Sequence, residues 1–143
     1  MSKTIQWSQV INRPVDKVFT FFATDHVKNH PRWDPMMELE QVSDGPMGVG
    51  TVIRRRNSHS GAPVEGTMKV VEYDPNRAFG MIIHDGSVEM LGRVTFEAID
   101  DQRTLLTQNL EIPDMDESAD MSHLIPLLER AGEIRKSLIE AEP

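Results

Sequence analysis

Six consecutive stretches between residues 36 and 112 constrain this chain more than any other feature, because each reads as a β-strand and short turns join them. They cover 36–43, 51–58, 64–73, 77–84, 87–99 and 103–112. The breaks carry turn chemistry: Ser43-Asp44-Gly45-Pro46, Gly61-Ala62-Pro63, Asp74-Pro75-Asn76, Asp85-Gly86 and Asp100-Asp101. Pro75 presets φ, Asn76 tolerates the left-handed region, and Asp85-Gly86 is a preferred two-residue hairpin loop. Alternation is cleanest in 87–99, where Val88, Met90, Gly92, Val94, Phe96 and Ala98 share a face. Val64, Gly66, Met68 and Val70 form a similar row, as do Leu106, Gln108, Leu110 and Ile112. Short connections between such strands predict an antiparallel meander with one buried face and one wet face. That apolar face requires a covering layer.

The flanks supply it. Residues 3–12 alternate as a further strand through Ile5, Trp7 and Ile11. From Asn12 to Pro35 the chain predicts two short helices. Pro14 suits a first helical position, Asp16 meets the positive end of the helix dipole, and Val15, Val18, Phe19 and Phe22 make one apolar face. Thr24 and Asp25 are expected to cap the second helix and Pro31 to end it. After an acidic stretch at 113–122, LIPLLERAGEIRKSLIE predicts the last helix, with Leu127, Ala131, Ile134 and Leu138 as its apolar stripe. Arg135 and Lys136 fall toward its negative end, and Pro126 either lies in the first turn or kinks the helix. The expected class is α+β, in the order β-α-α-β6-α, with only the terminal helix long enough to cover the sheet.

Composition narrows the function classes. At 143 residues the expectation is one domain, 1–143, burying roughly 70% of its unfolded surface. A formal net charge of −8 argues against nucleic acid, whose phosphates the protein's field would repel. No apolar run approaches the ~20 residues of a membrane span, and MSKTIQWSQV lacks a signal-peptide core. The absence of cysteine excludes disulfides, thiolate metal sites and thiol catalysis, and fits a cytoplasmic home. Nine methionines against one tyrosine point to adaptable packing or an adaptable pocket.

The order of elements, together with INRPVDKVFTFFAT, PRWDP, SDGPMGVGT and VVEYDPNRAFG, resembles the START-like superfamily with the Bet v 1-type helix-grip fold. Its polyketide cyclase/dehydrase-like branch, grouped as SRPBCC proteins, is the most similar. The resemblance runs from about residue 3 to 140. It implies a curved antiparallel sheet wrapped round the long C-terminal helix, with a mostly apolar internal cavity for small hydrophobic ligands. Members use that cavity for lipid carriage, hormone sensing or polyketide ring closure, so the fold alone does not assign a function.

Within such a cavity the expected lining is Met68, Ile82, Met90, Val94, Leu106, Leu128 and Ile134, with Trp33 closing one end and Gln108 offering a polar group. Gly66, Gly92 and Gly132 withhold side-chain volume and favour a hollow interior. Arg54 and Arg56 share a face of their strand: inward they would favour an acidic or enolate group, outward they would pair with surface carboxylates. His84, beside Asp85, is a candidate general acid/base at the cavity mouth. His26 and His30 have a usable two-ligand spacing, but HExxH and a defined third ligand are missing, so neither metal nor cofactor is expected. The leading reading is a binder of a small hydrophobic or amphipathic molecule, monomeric or homodimeric, without membrane insertion. A cyclase or dehydratase using Arg54, Arg56 or His84, and a protein-interaction module docking through its exposed sheet or the acidic 113–123 loop, are the alternatives.

Overall fold

The computed structural model describes residues 3–58, 61–113 and 124–142. The chain runs β1 (Lys3–Ile11), α1 (Val15–Phe19) continued by a π turn (Thr20–Thr24), α2 (His26–Trp33), β2 (Met37–Gln41), β3 (Val52–Asn57), β4 (Val64–Asp74), β5 (Ala78–Asp85), β6 (Val88–Asp100), β7 (Arg103–Ile112) and α3 (Leu124–Ala141). The strands form one seven-stranded sheet in the order β1-β7-β6-β5-β4-β3-β2, antiparallel throughout. Only β1 leaves chain order, returning to pair with β7 so that Trp7 stands opposite Gln108. The meander and the element order expected from the sequence are both present. Most of the acidic 113–123 stretch, with the docking role expected of it, lies outside the described residues.

The sheet's inner face is set by alternation. Ile53 and Arg55 on β3, Met68 and Val70 on β4, Phe79, Met81 and Ile83 on β5, and Val94 and Phe96 on β6 are all buried. Phe19 and Phe22 meet Phe96 edge-on at 5.1 and 5.7 Å between ring centroids, and Phe22 reaches Phe79 at 6.3 Å. Burying each such ring stabilises the fold by roughly 1.5–3 kcal/mol, which makes this half a solid core. α3 packs against β1 and α2 at the other edge. Lys136 Nζ donates to Val10 O at 2.6 Å, the Glu140 carboxylate accepts from Asn12 N at 2.8 Å, and Arg13 donates to the Glu140 carbonyl. These bonds fix the C-terminal half of α3 against the end of β1.

Several local expectations change. Pro31 lies inside α2, which runs on to Trp33: so near the helix end the missing N–H removes one hydrogen bond, and Asp34 N still bonds His30 O at 3.0 Å. Asp25 holds the N-cap position without a side-chain bond, while the Thr24 hydroxyl pairs with Tyr73 Oη at 2.9 Å. The β5–β6 loop is Gly86-Ser87 rather than Asp85-Gly86, because Asp85 pairs with Val88; Gly86 takes φ +59°, a value glycine adopts freely. Pro126 falls in the first turn of α3. The three glycines do not hollow the interior. A Cβ at Gly66 would stand 1.7 Å from His84 O, one at Gly92 3.3 Å from the Ile83 side chain, and one at Gly132 2.3 Å from the Trp7 ring. Neighbouring atoms already fill those spaces. No helix among the described residues is long and apolar enough to cross a membrane.

Candidate functional site

Between α3, the end of α2 and the inner face of β7 lies a cavity of about 410 Å³. Gln108 and Leu110 supply its floor, Leu128, Ala131 and Ile134 its helical wall, and Trp33 one end. The volume falls within the roughly 300–1,000 Å³ typical of small-molecule sites. Met36 and Leu127 line it and are 52% and 42% exposed, so they mark where it meets solvent. It forms here because α2 stops at Trp33 while α3 presents alanine at position 131 toward the strand face.

Arg135 lines this cavity and is almost fully buried, at 1% exposure. Its Nε and Nη2 donate to Gln9 Oε1 at 3.1 and 2.7 Å, and Nη1 donates to Gln108 Oε1 at 3.3 Å. Gln9 Nε2 in turn donates to Gly132 O at 2.9 Å, which fixes the amide so that its oxygen faces the guanidinium. The rings of Phe22, Trp33 and Trp7 stand 5.1, 5.6 and 5.9 Å from the guanidinium carbon. Among the described residues no carboxylate pairs with it. Burial lowers its pKa to about 9, so it remains a cation at neutral pH.

A histidine pair borders the same space. His26 is buried and its Nδ1 lies 2.7 Å from Phe22 O, so Nδ1 carries the proton. Burial pushes its pKa down to about 4, opposed by the Phe22 bond, and the ring is neutral at pH 7. Its bare Nε2 therefore accepts from His30 Nδ1, 3.0 Å away, and His30 lines the cavity. The lone pair of a neutral His30 is thereby assigned to Nε2, and Trp33 stacks on its ring at 5.2 Å. Among the described residues no group of three potential ligands assembles a metal site.

The expected site residues divide. Trp33, Gln108, Leu128 and Ile134 line the cavity. Met68, Val94 and Leu106 are buried in the solid core, with Met90 packed at its margin. Ile82 points to the opposite face from Met81 and Ile83, since β5 is apolar on both sides and alternation there is ambiguous. Arg54 and Arg56 face outward, 2.9 Å from Glu40 and 3.9 Å from Glu38. His84 is likewise outward, with Nε2 3.3 Å from Glu89 Oε2. The inward arginine of that run is Arg55. Its Nε lies 2.8 Å from Asp85 Oδ1, out of line for a directed hydrogen bond, while Nη2 donates to Asp85 Oδ2 at 3.1 Å. Asn57 Nδ2 donates to the same oxygen at 3.1 Å. Arg135 and His30 were not among the expected site residues. Its place near the negative end of the helix suggests a dipole role, yet Arg135 occupies the inward stripe with Leu128, Ala131, Gly132 and Ile139. An arginine at that phase is the signal the sequence held.

Comparison with known proteins agrees with the fold. The profile of the family described as "Polyketide cyclase / dehydrase and lipid transport" matches residues 3–138. The chain belongs to that family. Among solved structures, the polyketide cyclase/dehydrase family member described here is similar to Ara h 8.0201, with 14% identity, a TM-score of 0.79, and coverage of 99% of this chain and 100% of that one. The Zhui aromatase/cyclase from Streptomyces sp. R1128 matches with 16% identity and a TM-score of 0.74 over 98% and 92% of the two chains. Norcoclaurine synthase from Thalictrum flavum, in complex with dopamine and hydroxybenzaldehyde, matches with 19% identity and a TM-score of 0.74 over 100% and 90%. At such identities the likeness establishes the fold, the Bet v 1-like helix grip of a curved sheet around a C-terminal helix. No curated protein sequence matches the chain.

Proposed function

We propose that this family member binds a small hydrophobic or amphipathic molecule in the cavity between β7 and α3. The observation that carries the reading is the cavity of about 410 Å³, with Trp33, Leu110, Leu128 and Ile134 as apolar walls. Removing an apolar ligand from water contributes roughly 25 cal/mol per Å² buried, which such walls supply. A cytoplasmic small molecule fits this reading better than nucleic acid, given the net charge of −8. The test is titration with the neutral fluorophore N-phenyl-1-naphthylamine in the natural protein, in Ala131→Trp, which fills the cavity, and in Arg54→Ala, which touches only the surface. Saturable binding that Ala131→Trp abolishes and Arg54→Ala leaves intact is expected. Binding that persists in a folded Ala131→Trp protein overturns the reading.

The His26–His30 pair favours a second reading, a cyclase or dehydratase that moves a proton in the same cavity. His30 lines the cavity and would be the general base, with His26, whose Nε2 lies 3.0 Å from His30 Nδ1, as its positioning residue. Against a molecule that the protein turns over, His30→Gln is expected to lower kcat by about 10²–10⁴-fold. Unchanged turnover in that variant removes the assignment.

A further inference from the structure

We propose that the molecule held in this cavity carries a planar organic oxyanion, above all a carboxylate, and that Arg135 receives it. The inference rests on the ligand-binding reading and names the chemical class of the ligand.

A guanidinium taken out of water loses hydration that costs several kcal/mol unless a counter-charge replaces it. Arg55 is held differently: Asp85 stands 2.8 Å away and Asn57 supports the carboxylate. Arg135 is more deeply buried than Arg55, at 1% against 7% exposure, and among the described residues its hydrogen-bond partners are the amide oxygens of Gln9 and Gln108. Those amides orient the group without neutralising it. They take three of its five N–H donors, one on each nitrogen, leaving one on each Nη. A carboxylate brings two oxygens in one plane and matches a guanidinium fork.

The surroundings strengthen that attraction. The rings of Phe22, Trp33 and Trp7 around the guanidinium keep the local dielectric low, so an arriving anion meets a larger field than it would at the surface. Among the described residues the other charged groups lining the cavity are Asp34 and Arg130, with His30 as the remaining titratable group, so their formal charge together with Arg135 is positive on balance. Leu110, Leu128 and Ile134 lie beside it for the apolar body of the same molecule. An amphipathic acid thus finds a cation and an apolar wall in one enclosure.

The experiment compares 2-naphthoate with 2-naphthamide, an uncharged molecule of nearly the same shape, by titration calorimetry, alongside N-phenyl-1-naphthylamine. In the natural protein the carboxylate should bind about 10- to 100-fold tighter than the amide, the scale of hydrogen bonding to a charged group. In Arg135→Met that ratio should fall to about one, and Arg135→Lys should restore part of it. Equal affinities for acid and amide in the natural protein overturn the inference, as does a preference that survives Arg135→Met. The natural protein decides the matter alone where the variants do not fold. If the neutral fluorophore binds and the acid shows no preference, this inference falls while the cavity reading stands. If none of the three binds, both fall.

Discussion

The sheet buries an arginine near each of its edges, and the two are held in opposite ways. Near the β2 edge, Arg55 reaches Asp85 across β4, and Asn57 and Met68 complete its surroundings. Near the β1 edge, Arg135 enters from α3 and finds amide oxygens and ring faces but no carboxylate among the described residues. The first region is packed solid and the second is hollow. At the β2 edge the charge is matched within the chain, by the Asp85 carboxylate. In the hollow region no carboxylate among the described residues matches it, and the proposed ligand would.

The largest effect expected from this contrast comes from breaking the matched pair. Asp85→Ala leaves Arg55 buried and uncompensated, and urea unfolding should show a loss of about 3–5 kcal/mol. A loss below about 1 kcal/mol would mean that water reaches Arg55 and the contrast is false.

His26 gives the next largest effect, through pH. Its folded pKa of about 4 lies below the ordinary 6.5, so between these values the unfolded chain binds a proton that the folded protein does not. Stability from this group is therefore full above about pH 6.5 and is lost as pH falls toward 4, by about 1.4 kcal/mol per pH unit and about 3 kcal/mol in all. The natural protein minus His26→Phe, measured by denaturant unfolding across that range, isolates this slope from the carboxylates.

Smaller still is the expected cost of Arg135→Met without ligand. Replacing an unmatched buried charge by an apolar side chain of similar length should change stability by no more than about 1 kcal/mol, or raise it. A loss as large as that of Asp85→Ala would make Arg135 a structural residue. The smallest effect belongs to Arg54→Ala and Arg56→Ala, whose exposed pairs with Glu40 and Glu38 should each contribute about 0.5 kcal/mol or less.

The strands were legible because alternation and turn residues are local signals. Asn76 takes the left-handed φ of +65° expected for its turn, and the inward rows of β4, β6 and β7 are those the spacing defines. The site was less legible, for physical reasons. Arg54, Arg55 and Arg56 carry no alternation among themselves, so the phase of β3 comes from pairing with β4. Met81, Ile82 and Ile83 are apolar on both faces, which hides the outward turn of Ile82. Arg135 lies beside Ile134 and Lys136 near the polar end of the helix, and its inward phase is visible only when Leu128, Ala131 and Ile139 are taken as the stripe. Trp33, Gln108, Leu128 and Ile134 line the cavity, each at a position where an apolar row or a helix end faces inward.

The central claim is that the cavity beside β7, and not the packed half, takes the ligand. Methyl-selective NMR during titration with N-phenyl-1-naphthylamine tests it most directly. The account predicts saturable shifts at Leu110, Leu128 and Ile134, with Ile53 and Val70 in the packed half unmoved. Shifts confined to exposed methyls such as Val49 and Val88, or none at saturating fluorophore, would contradict it.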